Sequence, residues 1–98
     1  MKVTRHSVQR AGERMGLPKK AVERQAALAL VKGLRHSETN GSLNRYFTHL
    51  FFSHRTANNI RIYNEHVFIF DEETLVTVLK LPNEYKFVVR KQINRREA

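Results

Sequence analysis

Apolar residues along this chain change period near residue 58, from a spacing that suits helices to one that suits strands. Thr4 is placed to cap a first helix over Arg5–Met15, with Gly16 as its stop and Leu17-Pro18 as the joint. A second helix is predicted over 18–34, where Pro18 fits the first turn because its missing N–H costs nothing there. Val22, Ala26, Ala29 and Gly33 recur at helical spacing, and their small size allows close packing on a neighbour. The polar stretch 36–42 reads as a loop. The next segment, LNRYFTHLFFSH over 43–54, is two-sided. Leu43, Tyr46, Phe47 and Leu50 fit a helix, yet Tyr46-Phe47 and Leu50-Phe51-Phe52 are equally good strand formers. A helix, or a helix running into a strand, is expected.

Three strands follow at Asn59–Tyr63, 66–70 and 74–81, joined by turns at Asn64-Glu65 and Asp71-Glu72-Glu73. A fourth is expected at 85–89, and the final KQINRREA (91–98) reads as a loose basic tail. The order predicts an α+β single domain over 1–98, with two or three N-terminal helices packed on a three- or four-stranded antiparallel meander. A two-residue turn at Asn64-Glu65 pairs Arg61 with Phe68, and a two- or four-residue second turn pairs Phe68 with Thr77. One face then carries Ile60, Ile62, Val67, Ile69, Val76 and Val78, an aliphatic set expected beneath the helices. The other carries Asn59, Arg61, Tyr63, His66, Phe68, Phe70, Leu75, Thr77 and Leu79. Aromatics interleaved with cations suit base stacking and phosphate contact; a second core layer covered by 43–54 accounts for the same face equally well. A three-residue turn at Asp71–Glu73 would remove Thr77 from the group.

Composition narrows the partners. Eighteen Lys+Arg against nine Asp+Glu give a net charge of +9 on 98 residues, which attracts polyanions. Nucleic acid is the expected partner, RNA in particular; a basic solvated surface, an acidic protein partner or anionic lipid are the alternatives. With no cysteine there is neither a disulfide nor a thiolate metal site, which fits a reducing cytoplasm. Apolar runs of a few residues are too short for a membrane span.

On the first helix His6 and Arg10 are four apart, and Glu13 and Arg14 continue their face. Histidine exchanges protons near neutral pH, and arginine holds a phosphate with a fixed fork of donors. Together they supply the minimum for metal-free phosphodiester cleavage, although such a pair is more often a solvated helix face. Arg14, Arg61, Tyr63, His66 and Phe68 are the candidates for nucleic-acid contact. Five histidines offer no compact ligand spacing beyond His49-x4-His54, so neither a metal nor another cofactor is expected.

The segment Thr4-Arg5-His6-Ser7-Val8-Gln9-Arg10-Ala11-Gly12-Glu13-Arg14 resembles the opening T-x-H-A-x-x-R-x-x-E-R of small bacterial and phage proteins. Leu75-Val76-Thr77-Val78-Leu79 is similar to the apolar-T-V strand in which many of these end. With the helices-then-meander order, the chain resembles the ribonuclease-toxin fold of barnase, EndoU, colicin D and RelE-type proteins. That resemblance implies a metal-independent ribonuclease, with His6 as general acid or base, Arg10 stabilising the transition-state phosphate and Thr77 orienting the phosphate or the 2′-hydroxyl. Ser7 departs from the common Ala. Fold does not confer activity, so three readings stand: a toxin-like ribonuclease with an antitoxin partner, a non-catalytic phage or mobile-element protein that binds nucleic acid or inhibits a host nucleoprotein complex, and an interaction domain for an acidic protein.

Overall fold

Helix α1 (Arg5–Met15) is closed at both ends by local chemistry. The Thr4 hydroxyl accepts from the Ser7 N–H at 3.0 Å while Ser7 Oγ accepts from the Thr4 N–H at 3.0 Å, a reciprocal capping box. Ser7 is therefore part of the cap of α1. At the other end Gly16 takes φ +67° and returns its N–H to the Gly12 carbonyl. The computed structural model describes residues 2–55 and 57–97. Ahead of α1 lies a short strand, β1 (Lys2–Val3), and after it come α2 (Lys19–Lys32) and β2 (Leu34–Arg35). A 3-10 turn (His36–Glu38) leads to α3 (Gly41–Ser53), then β3 (Asn59–Tyr63), β4 (His66–Asp71), β5 (Thr74–Lys80) and α4 (Asn83–Glu97).

The fold is α+β, with five strands in the order β1-β5-β4-β3-β2. All neighbours are antiparallel except β1, which runs parallel to β5. The predicted all-antiparallel meander is corrected on this point: two two-residue strands, too short to show a period, extend it at both edges. The Asn64-Glu65 turn has two residues, both at positive φ, as a right-handed hairpin twist requires. The second turn is also two-residue, since Asp71 pairs with Thr74.

Both faces of the sheet are covered. Phe68, Phe70, Leu75 and Val78 pack under α1 and α2 against Ala11, Val22, Ala26 and Ala29. Ile60, Ile62, Val67 and Ile69 pack under α3 and α4 against Leu43, Phe47, Leu50 and Val89. The N-terminal helices thus lie on the aromatic face, and the 43–54 segment, helical as far as Ser53, covers the aliphatic one. Gly33 ends α2 where a Cβ would sit 2.4 Å from the Ala29 carbonyl oxygen and 2.7 Å from Arg61 Cβ, so the chain turns there only without a side chain.

The segment 85–89 is helix rather than strand, and residues 91–97 are its continuation rather than a loose tail; Ala98 lies outside the described residues. Tyr85, Val89 and Ile93 share one helical face, and Tyr85 stacks on Tyr46 with centroids 4.5 Å apart. Gln92 is buried and exchanges hydrogen bonds with the Asn40 backbone. Arg96 donates to the Lys32 and Gly33 carbonyls at the end of α2, where a cation suits the helix dipole, and pairs with Glu38 at 3.2 Å. No helix among the described residues is long and apolar enough to cross a membrane.

Two predictions follow from this packing. Phe68→Ala, at a site with no exposed surface, costs about 3–5 kcal/mol, read as a lower urea midpoint with the m-value unchanged. Glu38 gives a pH dependence: partial burial pushes its carboxyl up, but the Arg35 N–H and the Arg96 and Arg35 cations outweigh this and hold its pKa below the ordinary 4.5. A lowered folded-state pKa contributes stability that is present above the unfolded value and lost as pH falls through the folded one. Glu38→Gln is therefore less stable than wild type at neutral pH, and the difference closes on acidification below pH 4.5, followed by thermal melts across that range.

Candidate functional site

Strand β5 has β1 as its outer neighbour only at Thr74 and Leu75. From Val76 onward, among the described residues, its outer edge carries no strand. At the same point the ladder with β4 slips: Phe70 pairs with Leu75 but Ile69 pairs with Thr77, leaving Val76 as the extra residue of a bulge. The slip corrects the predicted pairing of Phe68 with Thr77. Val78 stands opposite Phe68 instead, and Thr77 leaves the aromatic face, because a one-residue shift sends every later side chain to the other side.

The bulge brings Thr77 to the sheet edge, where α1 crosses. His6, Arg10 and Arg14 lie on successive turns of one helix face and open into a cavity of about 300 Å³ together with His54 and Thr77, over an apolar floor of Val76 and Leu79. His6 and Arg10 are exposed; Arg14, His54 and Thr77 are half-buried. Arg14 Nη1 donates to Thr77 Oγ1 at 3.0 Å and to the Val78 carbonyl at 2.6 Å. It thereby ties α1 to β5 and covers a carbonyl on an otherwise open edge. Thr77 accepts from Arg14, which leaves its hydroxyl proton to donate elsewhere. His54 arrives from the other layer as the C-cap of α3, its N–H bonded to the Leu50 carbonyl at 2.9 Å.

Two arginines and two histidines line this cavity and no carboxylate does. His6 also stands in the first turn of α1, where the backbone N–H groups not used by the Thr4 cap favour an anion. Among the described residues no group of three or more His, Asp or Glu is placed to hold a metal ion. The chemistry available is proton transfer and phosphate binding.

All three residues named as catalytic candidates, His6, Arg10 and Thr77, therefore line one cavity, joined by Arg14. The remaining binding candidates do not join them. Phe68 has no exposed surface and is enclosed between sheet and helices, so it offers no face to a base. Arg61 donates from Nη1 to the Leu30 carbonyl at 2.6 Å and from Nε to Asn59 Oδ1 at 2.8 Å, holding the C-terminal turn of α2 to β3. Burial, and then the neighbouring Arg35 cation, lower its pKa, and it stays protonated. Tyr63 packs half-buried beside the same α2 cluster, and His66 Nδ1 donates to the Asn64 carbonyl at 2.8 Å at the hairpin end. These lie on β3 and at the start of β4, one or two strands in from β5. Sequence reasoning missed His54 as a site residue. It is 48 positions from His6 in a segment whose conformation was two-sided, and no local motif marks it.

No family model matches the chain, and neither a curated protein nor a solved structure matches it.

Arg61→Ala tests the structural role: losing two hydrogen bonds from a half-buried charge costs about 1.5–3 kcal/mol of stability, read as a lower urea midpoint.

Proposed function

We propose that the chain is a nucleic-acid-binding domain that takes the phosphate backbone of RNA into the basic cavity at the β5 edge and cleaves it without a metal, in the manner of the toxin-like ribonucleases it resembles. One observation carries the reading: His6, Arg10 and Thr77, up to 71 residues apart in sequence, line a single cavity with Arg14 and His54. In-line cleavage needs a base to take the 2′-hydroxyl proton, so that the 2′-oxygen forms a bond to phosphorus. It needs an acid to protonate the 5′-oxygen as the phosphorus–oxygen bond breaks, leaving a 2′,3′-cyclic phosphate and a 5′-hydroxyl. The two oxygens leave and attack on opposite sides of phosphorus. Histidines contributed by opposite layers of the fold suit those two positions, with Arg10 and Arg14 meeting the charge that gathers on the non-bridging oxygens. Thr77 donates its free hydroxyl proton to the phosphate.

One contact favours the second reading, a non-catalytic protein that binds nucleic acid or inhibits a host nucleoprotein complex. Arg14 is already bonded to Thr77 and Val78, an arrangement that needs no substrate to explain it. The net charge of +9 supports RNA contact in either case. A ribonuclease of this kind requires an inhibitory protein partner in the cell that makes it, and an acidic one fits this surface.

The test is cleavage of total RNA in EDTA. His6→Ala lowers the rate by at least about 100-fold, the size of a lost acid–base group, while binding stays within a few-fold; His54→Ala has a comparable effect, and Arg10→Ala weakens both rate and binding. Wild-type protein that binds RNA with a steep salt dependence but leaves it intact, with binding indifferent to His6→Ala, supports the non-catalytic reading instead. Absence of binding even at low salt leaves the acidic-protein interaction domain.

A further inference from the structure

A second concavity, of about 340 Å³, opens at the opposite side of the sheet, where β2 stops after two residues and β3 continues without it. Its wall is aromatic. The His36 ring stacks on Phe47 with planes 6° apart and centroids separated by 5.6 Å, and leans on Phe51 at 5.7 Å. The ring is held at its edge, with Nε2 3.3 Å from the Thr48 hydroxyl. Its backbone is also held, the His36 carbonyl accepting from Thr39 Oγ1 and Asn44 Nδ2. Phe47 is fully buried behind it, whereas His36 and Phe51 remain partly open to the notch.

Polar groups ring this wall. Asn58 Oδ1 accepts from the Glu72 N–H at 2.6 Å, which orients the amide and leaves its Nδ2 donors uncommitted among the described residues. The alternation of an antiparallel ladder adds a backbone element. Tyr63 and His66 flank a two-residue turn and so form a hydrogen-bonded pair, which directs Asn59, Arg61 and Tyr63 towards β4 and turns the backbone of Ile60 and Ile62 outward. Ile62 meets Leu34 of β2; Ile60 lies past the last β2 pairing and faces the notch. Arg35 stands exposed at the rim, and no carboxylate lines the cavity.

A pinned aromatic wall, an amide donor, outward backbone groups and a cation at the mouth, in a space of small-ligand size, match the way unstacked bases of single-stranded RNA are recognised. Phe51 in the notch and His54 in the basic cavity are three residues apart in sequence, at the last turn and the C-cap of α3. We infer that this notch is a nucleobase subsite. The inference rests on the RNA reading above: a base of the bound strand stacks on His36 and Phe51 while Arg35 meets the adjoining phosphate.

The experiment is an amide-resolved NMR titration of the full chain with a short single-stranded RNA, repeated with the same sugar-phosphate backbone lacking bases. Expected are shifts at His36, Phe51 and Asn58 with the RNA alone, and at His6 and Thr77 with both probes. The RNA binds about tenfold more tightly than the baseless probe, a preference that Phe51→Ala removes. Should Phe51→Ala fail to fold, Asn58→Ala and the two-probe comparison on wild type decide the matter. Shifts confined to His6 and Thr77, with equal affinity for both probes, overturn the subsite and leave the phosphate-binding reading intact. Shifts in neither place overturn both.

Discussion

Strand β4 is buried on both faces, and the rest of the molecule is arranged around that requirement. Val67, Phe68, Ile69 and Phe70 are consecutive and have essentially no exposed surface, so alternate side chains need apolar cover on opposite sides of the sheet. Two helices on one face and two on the other supply it. The small residues of α2 allow that helix close enough to enclose two phenylalanines, and the aromatic α3 fills the thinner aliphatic side. Each layer would leave a face of β4 in water if it were missing, which makes the C-terminal helix part of the core rather than an appendage.

A sheet covered on both faces leaves its edges for chemistry. The bulge at Val76 lies on β5 just past its last contact with β1, and it turns Thr77 out of the ladder's predicted alternation. Arg14 then holds two layers in register through a hydroxyl and a carbonyl of that strand. Two histidines arrive from either side, His6 from the first turn of α1 and His54 from the cap of α3. The opposite edge is built on the same economy: β2 is so short that the start of β3 is left facing an aromatic notch.

The cations divide into those that hold the fold and those that face solvent. Arg61 and Arg96 both terminate at carbonyls near the end of α2, and Glu38 joins this group, so a share of the positive charge read from composition is structural. His6 and Arg10 remain exposed. Net charge counts every cation alike; only position separates those engaged inside the fold from those left exposed.

By itself, the sequence determined the elements with strong local signals: α1 with its Thr4 cap and Gly16 stop, α2, and the hairpin whose two-residue turn fixes its own register. It also determined the pairing of His6 with Arg10, since a helix places residues four apart on one face. Local signals failed where length or context governs. Two-residue strands carry no period, the 43–54 segment satisfies helix and strand alike, and the apolar face of α4 is masked by its charge until it meets Tyr46 and Asn40. The fate of single side chains was decided by tertiary structure alone. A one-residue bulge moved Thr77, two covering layers enclosed Phe68, helix-end carbonyls engaged Arg61, and a cap distant in sequence delivered His54. Hydrophobic period specifies which residues are buried together, whereas register, edges and long-range contacts follow from how the buried layers fit.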